Sequence, residues 1–312
     1  MSPDPSATLL IRQGALGDLL MLLPLVRELS AREGRPVNLV APAWLTSLLS
    51  GFEGIGRVWS LDEAGLWGAY TPGDPVRLPA CRRIIAFLKD PEGSLRRRLS
   101  EGTGAEVQVH PPFPARATCH MSQYYLDCVF PETPVSPVWP SYQPDPEAES
   151  RVQGWLRNQT GDGPFWLLHP GSGSASKNWP IEQFSRVLSR WAPLRRSVVL
   201  LLGPAETSRR DSWSRALAFC DPLVVEEWPL EQVAVLMHRC AGYLGNDSGI
   251  THLAAVMGAP TVAVFGPASL RHWVPRGPRV CVAAAPSGGW PEPEAVFRAA
   301  EGLWPGRPGS ST

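Results

Sequence analysis

The chain carries no excess of charge: 29 lysines and arginines balance 29 aspartates and glutamates over 312 residues. Without a basic field there is no electrostatic footprint for nucleic acid, so nucleic acid is not an expected partner. Long apolar runs are also missing. Runs such as Ser197 to Leu202 are far short of the roughly 20 residues that a bilayer helix needs. The opening MSPDPSATLLIRQGALGD has no basic segment followed by a long apolar core, so no signal peptide is expected. The 6 cysteines form no Cys-x-x-Cys pair and no zinc spacing, which fits free thiols in a reducing compartment. Three ligand signatures are absent as well. There is no Gly-x-Gly-x-x-Gly dinucleotide loop, the residue before Lys177 is Ser176 rather than the glycine of a phosphate-binding P-loop, and no Asp-x-Asp pair stands ready for a metal. These absences speak against a nicotinamide dehydrogenase, a P-loop nucleotidase and a metal-dependent sugar transferase.

What is present is alternation. Short runs, apolar on both faces, alternate with amphipathic stretches from end to end, the pattern of parallel strands covered by helices. Strands are predicted at Thr8–Arg12, Val37–Ala41, Arg57–Leu61, Ile84–Leu88 and Glu106–His110, then at Phe165–His169, Ser197–Leu202, Leu223–Glu226, Tyr243–Gly245 and Thr261–Phe265. Helices are predicted at Leu19–Arg32, Trp44–Leu49, Ser94–Leu99, Met121–Phe130, Glu147–Asn158, Ile181–Trp191, Thr207–Ala218, Leu230–Arg239, Ile250–Met257 and Glu292–Trp304. Leu61 to Pro79 shows no period and reads as loop. Between Pro131 and Pro146, PETPVSPVWPSYQPDP places proline every two to four residues, which suits neither a central strand nor a helix interior. It reads as a semi-rigid linker. The expectation is two doubly wound α/β domains, residues 1–140 and 141–312, with a fraying tail from Pro305 to Thr312. The 34 prolines stiffen loops, and the 13 scattered tryptophans suit packing better than sugar stacking.

Four constellations fall at the carboxyl ends of predicted strands, where open α/β sheets bind ligands. In Arg12 to Leu29, RQGALGDLLMLLPLVREL, the Gly14–Gly17 loop lets backbone approach a ligand, and Asp18 presents a carboxylate at the helix start. The same acid serves equally well as a first-turn residue that stabilises its own helix. In Phe165 to Phe184, Ser172 and Ser174 expose donors in a glycine-rich loop. Lys177 adds a compact charge suited to a diphosphate, or simply a solvated lysine. In LLLGPAETS, Glu206 stands where a carboxylate can accept from a ribose diol. In GYLGNDSGITHLAAVMGAPTVAVFGP, Asp247, Ser248, Gly249 and His252 surround a strand-to-helix junction whose unpaired N–H groups suit a phosphate, or form an ordinary N-cap. His120 precedes a helix and reads as a polar helix-start residue that could also line a cleft. Arg82, Arg83, Arg96, Arg97 and Arg98 could meet an acidic ligand, though a solvated face is the commoner use of such a run.

The segments IRQGALGDLLMLLPLVREL, HPGSGSASKNWPIEQF, LLGPAE and GNDSGITHLAAVMGAPTVAVFGP resemble, in order and rough spacing, glycosyltransferase family 9, the lipopolysaccharide core heptosyltransferases and their relatives. The resemblance implies a GT-B architecture, two Rossmann-like domains facing across a cleft, the first for acceptor and the second for nucleotide sugar. It implies inverting transfer of heptose from ADP-heptose to a lipid A-linked core oligosaccharide, in the cytoplasm or peripherally at the inner face of the inner membrane. With no Asp-x-Asp pair, and with Lys177 and the helix at Ile250 able to balance the leaving diphosphate, no metal is expected and no cofactor. By position, Asp18 matches the family's general base and Lys177 the lysine on the donor phosphates. Ser172 and Ser174 lie in the phosphate loop, and Glu206 matches the ribose acid. Asp247, Ser248, Gly249 and His252 match the Asp-[Ser/Thr]-Gly-x-x-His motif, with serine in place of the more frequent threonine. Gly14, Gly17 and His120 are the acceptor-side candidates. The alternatives are a family 9-like transferase with another nucleotide sugar or glycan, or a nucleotide-sugar-binding protein without turnover.

Overall fold

The structure, a computed structural model, describes residues 6–71, 73–116, 119–161, 163–190, 197–266, 270–286 and 288–303. The expected tail from Pro305 lies outside them. The chain divides into two compact units, Met1–Gln143 and Pro144–Thr312. The boundary falls near the end of the proline-rich stretch, because most of that stretch is still tied to the first unit. The Glu53 N–H donates to the Ser141 carbonyl, the Gln143 N–H to Gly51, and Phe52 packs on Tyr142.

The first unit runs β1 (Thr8–Arg12), α1 (Leu16–Glu33), β2 (Val37–Val40), α2 (Thr46–Ser50), β3 (Ile55–Trp59), α3 (Leu61–Ala64), β4 (Arg83–Phe87), α4 (Ser94–Thr103), β5 (Glu106–His110) and α5 (Met121–Val129). Its five strands are parallel in the order β3-β2-β1-β4-β5. All of β1 and β2 is buried, as strands covered on both faces must be. α1 follows β1 because eleven of its residues, mostly leucine, are buried, and it ends at Gly34, whose φ of 64° closes the left-handed C-cap. α1 packs against α5.

The second unit runs α6 (Pro146–Thr160), β6 (Phe165–His169), α7 (Ile181–Ser189), β7 (Ser197–Leu202), α8 (Arg210–Ala216), β8 (Leu223–Glu226), α9 (Leu230–Arg239), β9 (Gly242–Asn246), α10 (Gly249–Val256), β10 (Thr261–Phe265), α11 (Leu270–Trp273), β11 (Val280–Ala284) and α12 (Pro293–Leu303). Six parallel strands lie in the order β8-β7-β6-β9-β10-β11, so both sheets share the doubly wound arrangement. In each, the direction of winding reverses beside the first strand: between β1 and β4 in one sheet and between β6 and β9 in the other. No helix among the described residues is long and apolar enough to cross a membrane.

Several sequence expectations need correction. Leu61–Pro79 is not simply loop. Ser60 and Glu63 form a reciprocal capping box that starts α3, and a 3₁₀ turn, Leu66–Ala69, follows Gly65. Arg98 on α4 then pins this region, donating to the carbonyls of Gly68, Ala69, Thr71 and Asp74 at 2.6 to 3.1 Å. The expected Thr207–Ala218 helix is divided into a 3₁₀ turn, α8 and a second 3₁₀ turn. β11 and α11 were not anticipated, because Val280–Ala284 is a five-residue run beside proline and glycine.

Candidate functional site

Three of the four constellations converge at the carboxyl edge of the second sheet. β6, β7 and β9 are adjacent there, so the loops after them share one corner at the point of reversal. The loop after β6 is anchored at both ends by one buried side chain that the sequence reading did not single out. Asn246 donates through Nδ2 to the Pro170 carbonyl at 2.5 Å and accepts at Oδ1 from the Trp179 N–H at 3.1 Å. Inside the loop, Ser172 Oγ bonds Asn178 at 2.7 Å and the Ser174 carbonyl at 2.6 Å, and Ser174 Oγ meets Ser176 Oγ at 2.9 Å. Lys177 closes a 3₁₀ turn, and its Nζ lies 2.7 Å from Oδ2 of Asp247.

Asp247 is buried beyond the end of β9, and Ser248 is the N-cap of α10, accepting from the Thr251 N–H at 3.2 Å. Thr251 also bonds the Tyr243 hydroxyl at 2.9 Å, so the junction is built on a satisfied polar core. Gly249 opens α10, one residue earlier than expected, and His252 lies buried one turn in. The cap is therefore Ser248, not His252. Glu206, only 6% exposed, accepts from the Gly203 N–H at 3.0 Å. It lies directly against Gly171: a Cβ there would stand 2.0 Å from Glu206 Oε1. A side chain at that position would force Glu206 or the loop to shift. Beside it, burial pulls the His169 imidazole below its ordinary pKa, against the opposing pull of the Leu201 carbonyl and Glu206.

In the first unit, α1 begins at Leu16 with Ala15 as N-cap, so Asp18 is the third helical residue rather than the first. Its Oδ2 accepts the Ala15 N–H at 2.9 Å, the helix-stabilising contact that was one of the two roles open to it. Its Oδ1 lies 3.4 Å from Arg12. Burial raises the Asp18 pKa above the ordinary carboxylate value, and Arg12 and the Ala15 N–H partly oppose that rise. The Asp18 side chain keeps 13% exposure. A carboxylate in that state is a better proton acceptor than a solvated one. Gly14 leaves room for it, since a Cβ there would meet Asp18 Oδ2 at 2.3 Å, and Gly17 is buried within α1. Arg12, buried at the end of β1, is a further residue the sequence reading passed over.

His120 is the N-cap of α5. Its Nδ1 lies 2.7 Å from Ser122 Oγ and accepts the Ser122 N–H at 3.3 Å. Of the arginines, Arg98 serves the loop described above, Arg82 lies 3.8 Å from Glu33 and Arg83 lies 3.8 Å from Glu106. Among the described residues no group of three or more His, Cys, Asp and Glu side chains is placed to hold a metal ion.

The profile of glycosyltransferase family 9 (heptosyltransferase) matches residues 124–296, more than half of the chain. Lipopolysaccharide heptosyltransferase 2 of Salmonella typhimurium is 25% identical over 300 residues, covering 84% of this chain and 83% of that protein. A family 9 glycosyltransferase structure from Veillonella parvula superposes with a TM-score of 0.78 at 19% identity, covering 97% of this chain and 98% of that one. ADP-heptose lipopolysaccharide heptosyltransferase II of Escherichia coli gives a TM-score of 0.75 at 20% identity, with 95% and 98% covered. The two structures share the GT-B fold of two parallel-sheet α/β domains with this chain. The matched profile covers α6, the strands β6 to β11 and the strand-end residues of the second unit described above, and on that ground the chain belongs to glycosyltransferase family 9, the heptosyltransferases.

Proposed function

We propose that this family 9 glycosyltransferase is an inverting, metal-independent enzyme that moves heptose from ADP-heptose to a lipid A-linked lipopolysaccharide core. The unit from Pro144 on holds the nucleotide sugar and the unit before it receives the acceptor. The likeness to lipopolysaccharide heptosyltransferase 2 and the fold shared with an ADP-heptose enzyme support this choice of donor and acceptor.

The observation that carries the reading is the state of Asp18, a partly buried carboxylate whose affinity for a proton is raised. In the reaction Asp18 takes the proton from an acceptor hydroxyl. That oxygen bonds to the anomeric carbon on the face opposite ADP, while the bond to the diphosphate oxygen breaks and its electron pair leaves with ADP. One displacement inverts the anomeric centre. The developing charge on ADP falls to the Lys177 ammonium and the N–H groups at the start of α10, a preorganised positive potential in the role a cation plays elsewhere. Glu206 accepts from the ribose diol. Ser172 and Ser174 donate to the phosphates, and Asp247, Ser248, Gly249 and His252 shape the phosphate junction. Gly14 and Gly17 admit the acceptor, and His120 supports that side through the α5 cap. The enzyme works in the cytoplasm, peripherally at the inner membrane, because its acceptor is anchored in lipid.

The test is a product assay with ADP-heptose and a core acceptor. The new linkage should have the anomeric configuration opposite to the donor's, and a chelator should leave the rate unchanged. Asp18→Asn should lower turnover by roughly 10²- to 10⁴-fold while ADP still binds. Retention of configuration, or loss of rate on chelation, rejects the mechanism. A thermal-shift panel of ADP, UDP, GDP and CMP decides the base: stabilisation by ADP alone supports heptose, and a different winner points to another nucleotide sugar.

A further inference from the structure

Arg12 ends β1 at the carboxyl edge of its sheet, where an arginine would ordinarily reach solvent, yet it is 3% exposed. A guanidinium buried this far needs partners on every side. Its Nε donates to the Tyr125 hydroxyl of α5 at 3.2 Å, one terminal nitrogen donates to the Gln13 carbonyl at 2.5 Å, and the other lies 3.4 Å from Asp18 Oδ1. The Phe113 ring covers the fork, with its centroid 4.9 Å from Cζ. Two hydrogen bonds and a ring therefore hold Arg12 independently of Asp18.

We propose that Arg12 is a positioning residue for the transfer reaction: anchored by Tyr125 and the Gln13 carbonyl, it keeps the Asp18 carboxylate ionised and aimed for proton abstraction. The inference rests on the reading of Asp18 as the base. The two oxygens of Asp18 have separate neighbours: Oδ2 accepts the Ala15 N–H, and Oδ1 lies 3.4 Å from one terminal nitrogen of Arg12, an ion-pair contact rather than a hydrogen bond. Each oxygen has lone-pair capacity beyond its one partner, so a substrate hydroxyl can still be met.

Two opposed demands meet here. Burial raises the carboxyl's affinity for a proton at the expense of its ionised form, and full solvation would leave it a weaker base. Arg12 offsets part of the burial cost without neutralising the group. The titratable groups coupled to Asp18 are Arg12 from β1 and Tyr125 from α5, with Tyr124 and Cys128 of α5 behind them. Burial pushes the Tyr125 hydroxyl up to about 12, so it stays a neutral partner to the arginine.

The experiment measures kcat against pH and, separately, the titration of the Asp18 carboxyl by NMR of ¹³C-labelled aspartate, in the full chain. Arg12→Met should move the acidic limb of the kcat profile and the carboxyl titration upward together, by roughly one pH unit. Donor KM should be unchanged. Arg12→Lys keeps the charge but not the fork and should recover part of the shift. Tyr125→Phe keeps the ring packing but frees Arg12 and should give a smaller shift in the same direction. If Arg12→Met does not fold, these last two carry the test. A purely structural role predicts lower melting temperatures with both titrations unmoved, and that result overturns the proposal. Failure of the underlying reading looks different: Asp18→Asn would turn over at the wild-type rate, while the carboxyl titration would still report whether Arg12 controls it.

Discussion

Lys177 and Asp247, 70 positions apart in the chain, form an ion pair of 2.7 Å that joins the loop after β6 to the turn after β9. The pair spans the point at which the sheet reverses its winding, so the lysine is held over that corner. Its side chain is 43% exposed, while its ammonium is paired with the buried Asp247 carboxylate. On the proposed role, Lys177→Ala should lower donor affinity and kcat together, because its charge would act on the bound donor and more strongly on the departing diphosphate. Steady-state kinetics should show kcat/KM reduced by roughly 10²-fold or more. A rise in KM with kcat intact would remove Lys177 from the leaving-group role.

Glu206→Ala is expected to act differently. Its proposed contact with the ribose is the same before and during the chemical step, so donor KM should rise about tenfold with little change in kcat. Loss of turnover with donor binding intact would contradict the ribose assignment.

Gly171→Ala tests the closeness of that site. The added Cβ would stand 2.0 Å from Glu206 Oε1, and Glu206 in turn holds the Gly203 N–H. Something must shift, at a cost of roughly 1–3 kcal/mol. The melting temperature should fall, and ADP should stabilise the variant less than it does the wild type. Unchanged values for both would mean that Glu206 moves freely.

Arg98→Met separates scaffold from site. Arg98 donates to four backbone carbonyls between Gly68 and Asp74, and their loss should speed proteolytic cleavage within that segment. Donor KM should stay as it was. An unchanged cleavage rate would show that the segment is held by other contacts.

The pH dependence follows from Asp18. In the proposed reaction the ionised form is the base, and burial raises its pKa, so activity should be lost on acidification at a higher pH than an exposed aspartate would give. Asp18→Glu should distort this limb, because a longer side chain cannot keep both the Ala15 N–H and the Arg12 contact. A rate that stays flat as pH falls through the carboxylate range would exclude a titrating base.

Much of this was visible in the residues themselves. β1, β6, β7 and β10 each carry a continuous apolar run because both faces are covered, and that pattern needs no tertiary information. Lys177, Glu206 and Asp247 each follow such a strand, so each could be placed at a carboxyl edge separately. β11 was missed because a short run beside prolines carries too little periodicity. Arg12 was missed because an arginine at a strand end reads as a solvated residue. Its burial depends on tertiary contacts such as that to Tyr125, 113 positions away.

The sequence by itself determined the alternation of strand and helix, the two-unit division and the polar residues that follow each strand, since periodicity and proline content are local properties. Tertiary structure decided which of those residues meet. Strand order put the loops after β6, β7 and β9 in one corner, gave Lys177 its partner in Asp247, and pressed Glu206 against Gly171. It also set the protonation balance of Asp18, because burial and the nearness of a guanidinium are properties of packing and not of spacing along the chain.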